Sequence, residues 1–314
     1  MHDHAAYEPP APRQARPRRP LVLAAVVVAA YLVVEVAGAL IAGSLALLAD
    51  AAHTGSDLGA LGLALFASWV AGRPASAERT FGYLRAEVLA AVVNGAALLV
   101  LAAVIFGEAV QRIGAPPEVR GGVVSIVASG GIAANVAAAV LLLRGSRTSL
   151  NVRAALFHVV GDAVGSAGAV VAGLLVLAYG WNAADPIVSV FIGLLLVVGA
   201  VRVLREATHV LLEGTPPHVD LVALRDDIER MADVEGCHDL HTWTITSGYH
   251  AMSAHVTIAD GCVGPRVREL QGRLRGMASE KYAIAHVTIQ LERGDGACVE
   301  EVHVPGPAAG AGSR

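Results

Sequence analysis

The chain has 314 residues, 55% of them hydrophobic and only 16% charged. Soluble domains carry charge on roughly 25% of their residues, so an ordinary soluble protein is excluded and a membrane protein is indicated. A formal net charge of −4 gives no support to nucleic-acid binding. The three cysteines, Cys237, Cys262 and Cys298, contain no CxxC pair, which argues against a disulfide framework and is compatible with a reducing compartment.

Residues 1–20 form a basic tail with Arg13, Arg16, Arg18 and Arg19. The apolar run that follows is too long for a signal-peptide core and continues into further apolar segments, so it reads as a first spanning helix. A spanning helix needs roughly 20 mainly apolar residues. Six segments qualify, at about 21–42, 45–71, 86–110, 120–143, 154–180 and 185–205. They make a six-helix transmembrane domain over residues 21–206, with a tight hairpin at "AGS" between the first two.

Basic residues set the orientation. Arg73, Arg79 and Arg85 fall between helices two and three, Arg144, Arg147 and Arg153 between four and five, and Arg202 and Arg205 close helix six. The opposite loops hold only Arg112 and Arg120. Both termini are therefore expected in the cytoplasm.

Beyond Glu213 the texture changes. "GTPPHVD" reads as a linker with a helix cap at or just before Asp220, and "LVALRDDIERMA" has helical periodicity. "CHDLHTWTIT" and "YHAMSAHVTI" alternate like strands about a Ser247-Gly248 hairpin, "VRELQGRLRGMA" is helical again, and "IAHVTIQLE" is a last strand. The order αββαβ over 207–293 describes a small cytoplasmic α+β domain, and the tail 294–314 is expected to be disordered.

Two apolar helices carry matching polar insertions: "HTGSD" places His53 and Asp57 on helix two, and "HVVGD" places His158 and Asp162 on helix five. Residues at i and i+4 share one helix face, so each pair projects together. Each ionisable group facing lipid would cost on the order of 2–3 kcal/mol, so the four must face one another or water. Two imidazoles and two carboxylates suffice for tetrahedral zinc, whereas calcium and magnesium prefer all-oxygen shells. The alternative, that they are inter-helix hydrogen bonds, suits one pair better than two identical ones. Asp50 either lines an access path to His53 or sits at water level, while Glu35 and Asn94 satisfy neighbouring helices or face an aqueous cavity.

These elements, with "LLADAAHTGSDLGALGLAL", "RTFGYLRAEVLAA", "RAALFHVVGDAVGSAGA", "DPIVSVFIGLLL" and "HDLHTWTITSGYHAMSAHV", resemble the cation diffusion facilitator family, most closely its bacterial zinc/cobalt/cadmium-efflux branch. The resemblance covers about residues 20–293. It implies a homodimeric secondary transporter in the bacterial inner membrane that exports Zn²⁺ and related divalent ions in exchange for protons. It also implies a metallochaperone-like cytoplasmic domain and a transport site at His53, Asp57, His158 and Asp162. His238, His255 and Glu292 match regulatory metal ligands, with His241 and His250 as nearby alternatives and Gln290 where some members have another histidine. A charge pair between Arg85 and Glu213 is implied as well.

Three departures stand out. Arg79 and Tyr83 occupy ligand positions of a further metal site in the loop between helices two and three, the histidine-rich loop of eukaryotic relatives is missing, and His2 and His4 are too few for a metal-collecting tail. No P-loop is present to bind nucleotide and no HExxH motif to make an intramembrane metalloprotease, so no enzyme activity and no organic cofactor are expected. A membrane-anchored metal sensor without flux is the competing reading.

Overall fold

The computed structural model describes residues 18–145 and 150–294, with side chains from residue 26 onward except at 138 and 141–160. His2, His4, Cys298 and the expected disordered tail beyond Gly294 lie outside the described residues, as does the side chain of His158. Six helices come first: α1 (Arg18–Ala42), α2 (Leu45–Ala71), α3 (Ala86–Gly114), α4 (Gly121–Gly145), α5 (Leu150–Tyr179) and α6 (Ala184–Leu211). They are followed by α7 (Leu221–Glu229), β1 (Val234–Thr246), β2 (Tyr249–Ile258), α8 (Pro265–Tyr282) and β3 (Ile284–Arg293). The six apolar segments are thus all helical, and the αββαβ order follows them.

Among the described residues, three helices are long and apolar enough to cross a membrane: Ala86–Gly114, Gly161–Tyr179 and Ala184–Leu211. The described apolar parts of α1 and α4, Val26–Ala42 and Gly121–Ala137, are shorter. α2 runs for 27 residues but carries Asp50, His53 and Asp57 among its apolar residues.

The chain divides into two compact units, residues up to 65 with 93–204, and 66–92 with 205 onward. The first is helical and turned inside out relative to a soluble bundle. Leu40, Ile126 and Val198 are 71%, 76% and 69% exposed, while Glu35 and Asp50 are buried. An apolar exterior on this scale marks a surface built for a partner or for lipid. Its core is rich in small residues, including Ala46, Ala49, Ala102, Ala128, Ala169 and Ala200 around Leu47, Val124 and Ile192. Small side chains let helix backbones approach where no water drives them together. At the α4–α5 contact a methyl group on Gly121 would lie 2.4 Å from the Gly173 carbonyl oxygen, so only glycine fits there.

The α1–α2 hairpin turns at Gly43, whose φ of +67° favours glycine. α2 then starts on a cap supplied from far along the chain. Asp185, buried at the start of α6, accepts hydrogen bonds from the Leu45 amide at 2.7 Å, the Ala46 amide at 3.4 Å and the Ser44 hydroxyl. The Ser44 hydroxyl oxygen accepts from the Leu47 amide at 3.1 Å. First-turn amides have no partner inside their own helix, and in an apolar setting an unmet donor is costly. The carboxylate also lies where the helix dipole favours negative charge.

In the second unit Asp220 caps α7, accepting from the Val222 and Ala223 amides at 2.9 and 3.2 Å. β1 and β2 pair antiparallel through the turn at Gly248, and β3 joins β2 in parallel after the α8 crossover, giving the order β1-β2-β3. Leu224 and Ile228 of α7 and Leu270 and Leu274 of α8 cover one sheet face, meeting Cys237, Met252 and Val256. This unit also takes in the end of α2, the start of α3 and the loop between them. Leu84 packs with Trp243 against Ile245, Tyr249 and Ala251, and Thr246 donates to Glu87 at 2.6 Å.

Replacing Asp185 with alanine is expected to cost about 2–3 kcal/mol, because it strands buried donors at the head of α2. Asp185→Asn, which keeps one acceptor oxygen, should cost less. Thermal unfolding of both purified variants in detergent tests this; equal melting temperatures for Asp185→Ala and the parent chain would refute it.

Candidate metal centre

Two groups of metal-capable side chains gather among the described residues: His53, Asp57 and Asp162, and His238, His255 and Glu292. In each, the candidate ligand atoms lie within 4.8 Å of one another.

The first group joins α2 to α5. The i, i+4 spacing sets His53 Nδ1 3.7 Å from Asp57 Oδ2, and His53 Nε2 lies 3.2 Å from Asp162 Oδ1. One ring nitrogen therefore faces each carboxylate. All three side chains are partly accessible, at 18–27%. Tetrahedral zinc with bonds of about 2.0–2.2 Å separates its ligand atoms by roughly 3.3–3.6 Å, close to the His53–Asp162 spacing. His158 lies four residues before Asp162 on the same helix, so its backbone belongs to this level of α5.

Asp50 is buried and accepts from the Ser166 hydroxyl at 2.7 Å, so it is shielded from solvent. Ser56 reaches Asn94 Oδ1 at 3.5 Å, which makes Asn94 a link between α2 and α3. Arg79 and Tyr83 are engaged with each other, the guanidinium donating to the phenol oxygen at 2.6 Å and lying 4.7 Å from the ring centre. Arg85 pairs with Glu213 at 2.9 Å, as the resemblance implied.

The second group stands on the sheet face opposite α7 and α8. Side chains alternate across a strand. Cys237 and Val256 point into the core, so His238 and His255, paired across β1 and β2, point out of it. Glu292 on β3 reaches both: Oε2 is 3.2 Å from His238 Nε2, and Oε1 is 2.9 Å from His255 Nδ1. His238 Nε2 is buried and makes no well-aligned hydrogen bond, a geometry suited to a metal donor. Gln290 donates to Glu292 Oε1 at 2.7 Å and so supports the carboxylate.

The two alternative histidines belong elsewhere. His241 pairs with Asp239 at 2.8 Å, and His250 bonds Thr244 at 3.0 Å while its ring packs against His218, 4.7 Å between centres. Asp239 was not singled out from the sequence. It lies where the β1–β2 register shifts, with a φ of +50°, and its Oδ2 is 3.8 Å from His255 Nε2. The alternating "CHDLHTW" gave no sign of that bulge. Burial, then the Glu229 charge, pushes the Cys237 thiol up to about 11, so it stays protonated and inert at neutral pH.

Known proteins resemble this chain along nearly its whole length. The cation efflux transmembrane domain matches residues 21–212, and the cation efflux protein cytoplasmic domain matches residues 216–294. A cadmium, cobalt and zinc/H(+)-K(+) antiporter of Bacillus velezensis is 38% identical over 88% of each chain. The zinc transporter ZitB of Escherichia coli is 38% identical over 93% of this chain and 92% of its own. The metal cation efflux system protein CzcD of Cupriavidus metallidurans is 38% identical over 87% and 86%. A solved structure, the metal-bound C-terminal domain of the CzcD transporter, is 39% identical, covering 24% of this chain and 99% of its own at a TM-score of 0.22.

Burial, and secondarily the neighbouring His218, holds the His250 imidazole below its ordinary value. A histidine with a depressed folded-state pKa favours the fold in its neutral form. That contribution is complete above the unfolded value of about 6.5 and is lost as pH falls through the folded value. Denaturant unfolding should therefore show the cytoplasmic unit weakening below about pH 6.5, and His250→Gln should flatten the dependence. A pH profile unchanged by the substitution would assign the effect to other groups.

Proposed function

Since the chain belongs to the cation efflux family of integral membrane proteins, we propose that it exports Zn²⁺ from the cytosol by secondary active transport in exchange for protons. Co²⁺ and Cd²⁺ are further candidate substrates, as the names of its relatives suggest. In this reading α1 to α6 all span the bacterial inner membrane, both termini are cytoplasmic, and the protein is a homodimer. The tail 1–20, membrane domain 21–206, cytoplasmic domain 207–293 and tail 294–314 form its parts, and no enzymatic step is involved.

The observation that carries the reading is the approach of His53 to Asp162 between two apolar helices. Placing an imidazole and two carboxylates there separately would be costly, and a divalent cation compensates them together. His158, one turn before Asp162, completes a His₂Asp₂ set. Zinc requires neutral imidazole and ionised carboxylate, so protons and metal compete for the same atoms. Protons arriving from outside displace the ion, and zinc arriving from the cytosol releases protons. Release comes from helix rearrangement, since four ligands close the coordination shell.

His238, His255 and Glu292 form a second, regulatory site in this reading. Its geometry also favours the sensor alternative, in which this site binds metal and no flux occurs. Purified protein in liposomes enclosing a zinc dye separates the two: Asp57→Ala and Asp162→Ala should each abolish flux while the protein stays folded. Flux equal to the parent chain in either variant would remove the shared site, and binding without flux in the parent chain would favour the sensor.

Apparent zinc affinity should fall as pH drops from about 7 to 5.5, bracketing the free-imidazole value, and collapsing the proton gradient should abolish uphill flux. His53→Asp, which exchanges a nitrogen ligand for oxygen, should weaken discrimination against cadmium. An unchanged zinc-to-cadmium flux ratio would place selectivity elsewhere.

A further inference from the structure

α1, α2 and α5 hold a second polar cluster that the metal site does not use. Glu35 on α1 and Asp50 on α2 are 1% and 2% exposed. Their carboxyls lie within hydrogen-bonding reach of each other. The Ser166 hydroxyl of α5 donates to Asp50 Oδ2 at 2.7 Å. The Thr54 hydroxyl lies within reach of Glu35 and donates to the Asp50 carbonyl oxygen at 3.1 Å. Glu35 Oε2 is buried without a hydrogen-bond partner among the described residues. Space for these groups comes from glycine: a methyl on Gly165 would sit 2.9 Å from Asp50 Oδ1.

The charge balance is unfavourable as it stands. α1 has no lysine or arginine after Arg19, α2 has none, and α5 has none after Arg153. The titratable groups acting on the pair are Tyr31 on α1, His53 on α2 and Asp162 on α5. From α4 the Val127 carbonyl engages Tyr31 and the glycine backbone at Gly131 lies against Tyr31 and Ser166. Two carboxyls side by side in an apolar interior must share a proton or hold another cation between them. Every donor atom here is oxygen, which suits a hard cation, whereas the histidine-bearing cluster suits zinc.

We propose that Glu35 and Asp50, with the Ser166 and Thr54 hydroxyls, form a monovalent-cation site, additional to the metal ligands that exchange protons, for a further counter-ion of metal export, a proton or potassium. The inference rests on the transport reading above. Its coupling follows from helix geometry. Asp50 precedes His53 by three residues on α2, and Ser166 follows Asp162 by four on α5, so both helices contribute to both layers. A divalent ion in one layer repels a cation in the next, and its departure lets the second cation return.

The test uses the full-length protein in proteoliposomes, with Glu35→Gln and Asp50→Asn each removing one carboxylate. One arm imposes an inward proton gradient at equal potassium, the other an inward potassium gradient at equal pH. The parent chain should show zinc flux accelerated by at least one of the two. Both variants should lose part or all of one acceleration, which identifies the ion, and in calorimetry their zinc affinity should depend less on that ion than the parent's does. Gradient-driven flux in Glu35→Gln equal to the parent would overturn the inference and leave the transport reading standing. Absence of zinc flux in the parent chain would sink the transport reading, and the counter-ion role with it. Infrared spectra of the parent chain cover the case in which the variants do not fold. A buried protonated-carboxyl band, or carboxylate bands that shift with added potassium, supports the site, and neither would overturn it.

Discussion

Ionisable side chains inside an apolar helical bundle have few places to go, and this constraint organises the membrane unit. His53, Asp57 and Asp162 come from two helices and lie within one ligand-sized volume. Each group facing hydrocarbon alone would cost a few kcal/mol, so convergence is the cheaper arrangement. It requires α2 and α5 to meet at one depth, and the rest of the unit serves that requirement. Small residues let the backbones come close, and Asp185 caps the head of α2 from α6, which holds α2 in axial position. Nothing about this arrangement needs a large hydrophobic driving force between helices. Packing and satisfied hydrogen bonds suffice.

The two candidate metal groups solve the same chemical problem on different scaffolds. In the membrane unit, the i, i+4 repeat of a helix brings His53 and Asp57 together, and a neighbouring helix supplies Asp162. In the cytoplasmic unit, alternation along strands puts His238, His255 and Glu292 on one face of a three-stranded sheet while the core occupies the other. The helical group is shared between two separate helices. The sheet group is braced by backbone hydrogen bonds on β2 from both sides. That difference fits the transport role proposed above for the first and the regulatory role proposed for the second.

The cytoplasmic unit also takes in part of the chain that belongs to the helices by sequence. Residues 66–92 pack with it through Leu84 and Trp243, the Thr246–Glu87 hydrogen bond and the Arg85–Glu213 pair. The exposed Arg85–Glu213 pair is worth little by itself. Its value lies in accompanying apolar contacts that have already fixed the backbone. Lys281 and Tyr282 similarly direct their donors at Asp227, which holds that carboxyl below its ordinary range and ties α8 to α7.

Much of this protein was written in residue periodicity. Runs of apolar residues specified the six helices, because an uninterrupted hydrophobic stretch in helical register has no other stable state in lipid. Alternation about Ser247-Gly248 specified the hairpin, and the repeated HxxxD spacing singled out His53, Asp57, His158 and Asp162, because both signals are local. Tertiary structure alone decided which distant residues meet. It decided that Asp185 caps a helix some 140 residues away, that Asp50 is buried against Ser166 and Glu35, and that Asp239 sits in a bulge beside His255. None of these has a local signature. A carboxylate has the same sequence appearance at water level, at a helix cap or in a buried pair, and only the packing of helices and strands around it determines which it becomes.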